Sequence, residues 1–164
     1  MNSQTQFDTD STSSTPQPLG AIMQTAELIA PEKTNTIPKI GSAFAGGIFA
    51  GIVAGKDGQP DYYLIHATVD FEIDNTNWQG AIEAAKAPIN GFNDWSLPDR
   101  YEARLLAINT PDSFDTSEWY WTSTQSADYD GYAWVQDFCY GSQGCSLKSH
   151  EYRARAVRRL LLIE

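Results

Sequence analysis

Two cysteines, two histidines and a loop of aspartates are the residues of this 164-residue chain whose chemistry could go beyond packing. Cys139 and Cys145 flank Tyr140-Gly141-Ser142-Gln143-Gly144, and a hairpin there would set them opposite one another across Ser142, as a cross-strand disulfide or as two ordinary strand cysteines. Asp128, Asp130 and Asp137 could offer hard oxygens to a calcium ion, but three aspartates in a Gly/Tyr-rich loop read first as solvated turn residues. His66 falls in the apolar run Tyr62–Ala67 and reads as a packed histidine at the core edge rather than a base. His150 lies in a polar turn with no nucleophile beside it in sequence. No phosphate loop, metal-ligand cluster or serine elbow is visible, so neither a cofactor nor a metal is expected.

What remains is a surface. Gln125–His150 is rich in Tyr, Trp, Ser, Gly, Asp and Gln, the mixture that gives rigid contact area together with adaptable hydrogen bonds. Its candidate ligand-binding residues are Tyr129, Asp130, Tyr132, Gln136, Tyr140, Ser142, Gln143 and His150. Aromatic faces stack on sugar rings as well as on protein side chains, so a glycan and a protein are both open as targets. Strand alternation puts Trp134, Gln136 and Phe138 on one face, with Trp134 and Phe138 facing the core. Gln136 must then either satisfy its amide within the core edge or line a polar pocket beside Tyr129, Tyr132 and Tyr140; the pocket is the expectation.

The elements that must hold this surface are legible from turns and caps. Phe44–Val53 and Tyr62–Ala67 flank the turn Gly55–Asp61 and read as a hairpin, with the strand glycines implying close approach by large side chains such as the tryptophans. Asn75 or Asn77 can cap a helix that shares Trp78, Ala81, Ile82 and Ala85 on one face and ends by Pro88. Asp99 with Glu102 makes a capping box for a second helix, on which Tyr101, Leu105 and Ile108 share a face. Trp95 before that helix and Trp119 and Trp121 beyond it supply core surface. Gly131–Tyr140 and Cys145–Leu147 form a second hairpin, and Tyr152–Leu162 is a closing strand. The expected class is α+β.

Length and composition allow one domain, 41–164, preceded by a polar arm, 1–40. Met1–Pro18 has hardly an apolar side chain and is expected to be disordered unless a partner holds it. Leu19–Ala30 carries a small apolar patch that either packs on its own domain or docks into an assembly partner, and an oligomer is expected. The formal charge of −10 argues against a nucleic-acid surface. The late arginines Arg153, Arg155, Arg158 and Arg159 read as a solvated face paired with carboxylates. The longest apolar run, Ala43–Ala54, is too short to span a membrane, and no secretory signal is expected.

Several short motifs in order resemble one family: Gly46-Gly47-Ile48-Phe49, Asp94-Trp95-Ser96-Leu97-Pro98, Tyr120-Trp121-Thr122-Ser123-Thr124, Tyr132-Ala133-Trp134 with Phe138, and Ala154-Arg155-Ala156-Val157-Arg158. From about Ala43 to Leu162 the chain is similar to the Lcl C-terminal domain family, a branch of the C-type lectin fold. The resemblance implies two helices with antiparallel sheets, the N- and C-terminal strands Phe44–Val53 and Tyr152–Leu162 being paired. Cousins of the fold include phage tropism determinants and formylglycine-generating enzymes. The first imply a virion or cell-surface location and a host surface glycan or protein as ligand; a bacterial adhesion domain and a structural virion decoration protein are the alternatives. The second would need Cys139 and Cys145 as converging thiolates, but the Arg-Gly-Gly-Ser strand of those enzymes is missing, so no enzyme is expected. Gln59-Pro60-Asp61 matches a galactose-type signature of calcium lectins, yet it lies in the first hairpin turn rather than in the long loop, where turn chemistry accounts for it.

Overall fold

The computed structural model describes residues 36–162. The expectations for Met1–Pro18 and Leu19–Ala30 lie outside the described residues. In chain order the elements are β1 (Ala43–Phe44), β2 (Gly47–Val53), β3 (Tyr62–His66), β4 (Ile73–Thr76), α1 (Trp78–Ala84), α2 (Arg100–Asn109), β5 (Trp119–Gln125), β6 (Tyr132–Asp137), β7 (Gln143–Leu147), β8 (Tyr152–Ala154) and β9 (Val157–Leu161). They form two sheets, β1-β2-β3-β9 and β4-β8-β5-β6-β7, in which every pairing is antiparallel except that of β5 with β8. This is the α+β class with two helices.

The strand pairing departs from expectation in one respect. β2 and β9 share a sheet but are not paired with each other, because β3 lies between them: Ile65 pairs with Phe49 on one side and Arg158 on the other. The closing run also splits. Tyr152–Ala154 joins one sheet and Val157–Leu161 the other, with Arg155 and Ala156 carrying the chain across.

Asp94–Pro98 fastens that crossing to the rest. Ser96 and Val157 exchange both backbone hydrogen bonds, at 2.9 and 2.8 Å, and Pro98 O accepts from Ser123 N at 2.8 Å. Trp95 and Trp121 are buried in one core cluster with Ile65, Leu97 and Val135, each indole N–H donating to a backbone carbonyl, of Ile89 and Thr76 respectively. Gly47 shows why a glycine stands in β2: a Cβ there would come within 2.4 Å of His66 O and 3.0 Å of the Trp95 ring. Trp119, by contrast, is on the exposed side of β5.

Both caps form as expected. Asn77 accepts from Gly80 N at 2.9 Å; Asp99 accepts from Tyr101 N and Glu102 N, while Glu102 Oε2 accepts from Asp99 N at 2.8 Å. The buried face of α2 is a different one from the expected stripe: Glu102, Ala103 and Leu106 are buried, whereas Tyr101 and Ile108 are exposed. Glu102 can be buried because it is saturated. Its oxygens also accept from the Tyr62 hydroxyl at 2.7 Å and from Arg159 Nε at 2.6 Å, and burial together with that bond to Glu102 pushes the Tyr62 phenol well above its ordinary range.

The same device recurs along the closing run. Arg153, Arg155, Arg158 and Arg159 meet Asp115, Glu72, Asp94 and Glu102 in turn. The carboxylate pairing forms as expected, but the expected solvated face does not: Arg155 and Arg158 are buried, stacked over Phe114 and Phe92 at 4.6 and 3.7 Å from the ring centroids. No helix among the described residues is long and apolar enough to cross a membrane.

Candidate recognition surface

The second hairpin forms with Tyr132, Trp134 and Gln136 of β6 opposite Leu147, Cys145 and Gln143 of β7. These six side chains share one face by alternation. The first turn of α2 covers one end of it. Gln143 Nε2 donates to Arg100 O at 2.6 Å and to Gln136 Oε1 at 2.8 Å, while Gln136 Nε2 donates to Asp137 O at 2.7 Å and Ser142 O at 3.1 Å. Gln136 is 0% exposed and its amide is satisfied within the protein, so the polar pocket expected beside it does not form and it cannot reach a ligand.

The remaining candidates separate to the two ends of β6, a strand of six residues and therefore about 20 Å long. At one end Tyr129 is 65% exposed, with its ring 5.7 Å from that of the half-buried Tyr132. Asp130 beside them accepts from Gln125 Nε2 at 3.3 Å, and its carbonyl accepts from Lys148 Nζ at 2.6 Å. His150 is exposed near this end, its Nδ1 3.0 Å from Ser146 Oγ. At the other end stand Tyr140, 88% exposed, and the exposed Ser142. Tyr140 does not join Tyr129 and Tyr132.

Cys139 and Cys145 do not face each other either. Cys145 pairs with Trp134, and Cys139 lies past the end of β6, where its N–H donates to Asp137 Oδ1; both thiols are free and exposed. The hairpin turns between Cys139 and Tyr140, on the bond from Asp137 N to Ser142 O, rather than on Ser142 as the spacing implied, which puts the two cysteines out of register. Asp137 is buried with both oxygens taken by the N–H groups of Cys139 and Tyr140, so it is a turn brace. Asp61 does the same work in the first hairpin, accepting from Gly55 N at 2.8 Å.

Two elements far apart in sequence, α2 and the first hairpin turn, extend the face on the side where α2 meets it. The Arg100 guanidinium lies 3.8 Å over the Trp134 ring and 5.2 Å from that of Tyr101, and Lys56 Nζ sits 4.3 Å over the other reach of Tyr101. Tyr101 is 60% exposed. The result is a strip of rings and cations running Tyr129, Tyr132, Trp134, Arg100, Tyr101, Lys56. Beside its last members the first hairpin turn and α2 enclose a cleft of about 630 Å³. Sequence reasoning found the tyrosines but missed Arg100, Tyr101 and Lys56, and the only signal for them was Tyr101 standing next to an arginine at a helix start.

The description of one family model, the Lcl C-terminal domain, matches residues 59–158. The chain belongs to the Lcl C-terminal domain family. The match is narrower than the Ala43–Leu162 span its motifs imply, opening at the first hairpin turn and ending at Arg158. It includes the whole of the second hairpin and Arg100 and Tyr101 of the strip, whereas Lys56 lies just before it. No curated protein matches the chain.

Proposed function

We propose that this Lcl C-terminal domain is a non-catalytic recognition module whose ligand surface is the ring-and-cation strip from Tyr129 to Lys56. The observation that supports it is the strip itself: exposed rings of Tyr129 and Tyr101 toward its two ends, half-buried Tyr132 and Trp134 between them, and two cations interleaved, on a hairpin and a capped helix. Such rings bury large area at low conformational cost and dominate binding energy where they are used. Family membership supports recognition or adhesion as the broad role. The finer reading is a virion or cell-surface protein with a host surface glycan or protein as ligand, anchored through residues 1–40 to an assembly partner.

The test is attachment of the full chain to intact bacterial cells and to a glycan array. Tyr101→Ala and Tyr129→Ala remove exposed rings from the two reaches of the strip, so both are expected to lose most attachment with an unchanged melting temperature. Tyr140→Ala, beyond the opposite end of β6, is expected to attach like the unsubstituted protein. Full attachment by the first two variants would sink the assignment of this surface.

A further inference from the structure

A second site lies away from the strip, and it begins with a lone pair. His66 closes β3 at 0% exposure, its ring 5.1 Å from that of Phe114. Its Nδ1 is 2.8 Å from Ala67 O. A carbonyl oxygen can only accept, so Nδ1 carries the ring proton. Burial, reinforced by the Arg155 charge and only partly offset by the bond to Ala67, lowers the His66 pKa to about 4, and the neutral ring leaves Nε2 as a bare acceptor. No group among the described residues donates to it. Glu72 presents a second such atom: Oε2 receives Arg155, while Oε1 is buried with no hydrogen-bond partner among the described residues. The Tyr120 hydroxyl, its pKa pushed up to about 12 by burial and by this carboxylate, is a polar neighbour of Glu72 on the cleft.

Both residues line one cleft of about 490 Å³, with Ile48, Phe114 and Tyr120 among its walls and Asp112, Asp115 and Arg153 also on its lining. That volume is in the range of small-molecule sites. Two orphaned acceptors on one cleft specify what it lacks, since a buried polar atom left unpaired is destabilising and a donor arriving there removes that cost. A neutral donor fits these acceptors, because the carboxylate of Glu72 is already paired with Arg155 and that of Asp115 with Arg153, leaving only the exposed Asp112 unbalanced on the lining. The Asp115–Arg153 ion pair, at 3.2 Å, adds both acceptors and donors for further hydroxyls.

We propose that this cleft binds a neutral polyol of about monosaccharide size, two of whose hydroxyls donate to His66 Nε2 and Glu72 Oε1. The site does not depend on the aromatic strip, and its test does not use attachment. His66 and His150 are the chain's two histidines, so the full-length protein labelled with [15N]histidine gives two imidazole patterns in long-range 1H–15N spectra. The probes are D-glucose, D-galactose, L-fucose and myo-inositol, with methylammonium chloride as the cationic arm.

The expected result is a saturable upfield shift of His66 Nε2 with at least one neutral probe, while His150 stays still. His66→Phe keeps a ring but deletes the acceptor and should bind that probe about tenfold more weakly, read from backbone amide shifts at Thr68 and Val69. Val69→Trp, at an exposed position on the lining, should block binding without disturbing the core. Three results each overturn the proposal: no neutral probe moves Nε2; methylammonium moves it more than any polyol; or Nε2 of the free protein already carries the shift of a hydrogen-bonded nitrogen that no probe changes, the mark of a resident water.

Discussion

Acidification should find His66 before it finds most of the molecule. The folded-state pKa of about 4 lies below the ordinary 6.5, so the unfolded chain takes up the proton first and stability falls as pH falls. The contribution is complete above about pH 6.5, declines between there and about pH 4, and is gone below. At about 1.4 kcal/mol for each pH unit, the gap from 6.5 to about 4 is worth about 3 kcal/mol. Glu72, Asp112, Asp115, Tyr120, Arg153 and Arg155 are the charged and titratable groups on the same cleft, so the histidine's share has to be isolated from everything around it. The quantity to measure is therefore a difference: urea unfolding followed by tryptophan fluorescence, for the protein and for His66→Phe, at a series of pH values across that interval. The stability advantage of the histidine protein over the variant should shrink by about 3 kcal/mol from the top of the interval to the bottom. Parallel curves, or a His66 imidazole that titrates near 6.5 by NMR, would refute the reasoning.

Two further substitutions probe what holds the sheets and helix together. Trp121→Ala removes a fully buried indole and its bond to Thr76 O, and should cost about 3–5 kcal/mol in chemical unfolding. Glu102→Ala strips Arg159 and Tyr62 of their shared acceptor and opens the capping box of α2, so a loss of about 3–5 kcal/mol is expected, with a shorter helix in NMR chemical shifts. A Glu102→Ala protein within about 0.5 kcal/mol of the original would mean that the network is not structural.

What the sequence made legible was local. Asn77, Asp99 with Glu102, and the turn at Gly55–Asp61 announce themselves within a few residues, because cap and turn chemistry acts over that distance, whereas the second hairpin turns before the expected Gly141–Gly144, with Gln143 and Gly144 already in β7. The buried face of α2 was hidden for the opposite reason. Tyr101, Leu105 and Ile108 make the more apolar stripe, and Glu102 displaces it only through Arg159, 57 positions away. Gln136 was unreadable in the same way, since its burial rests on the Arg100 carbonyl relayed through Gln143. The tyrosines of the recognition surface stood out by composition. Arg100, Tyr101 and Lys56 did not, because their meeting with Trp134 exists only in three dimensions.

The passage of the closing run between the two sheets bears on when this domain can fold during synthesis. β3 is made early and gains its second neighbour only when β9 arrives, and β4 waits likewise for β8. Arg158 reaches the carbonyl of Ala45 across 113 positions. Until those late strands leave the ribosome, the edge of β3 and the floor beneath Trp95 have nothing to pair with, and a nascent chain paused before Tyr152 would offer them to any neighbouring chain. Stalled at that point, the protein should be at its most dependent on chaperones.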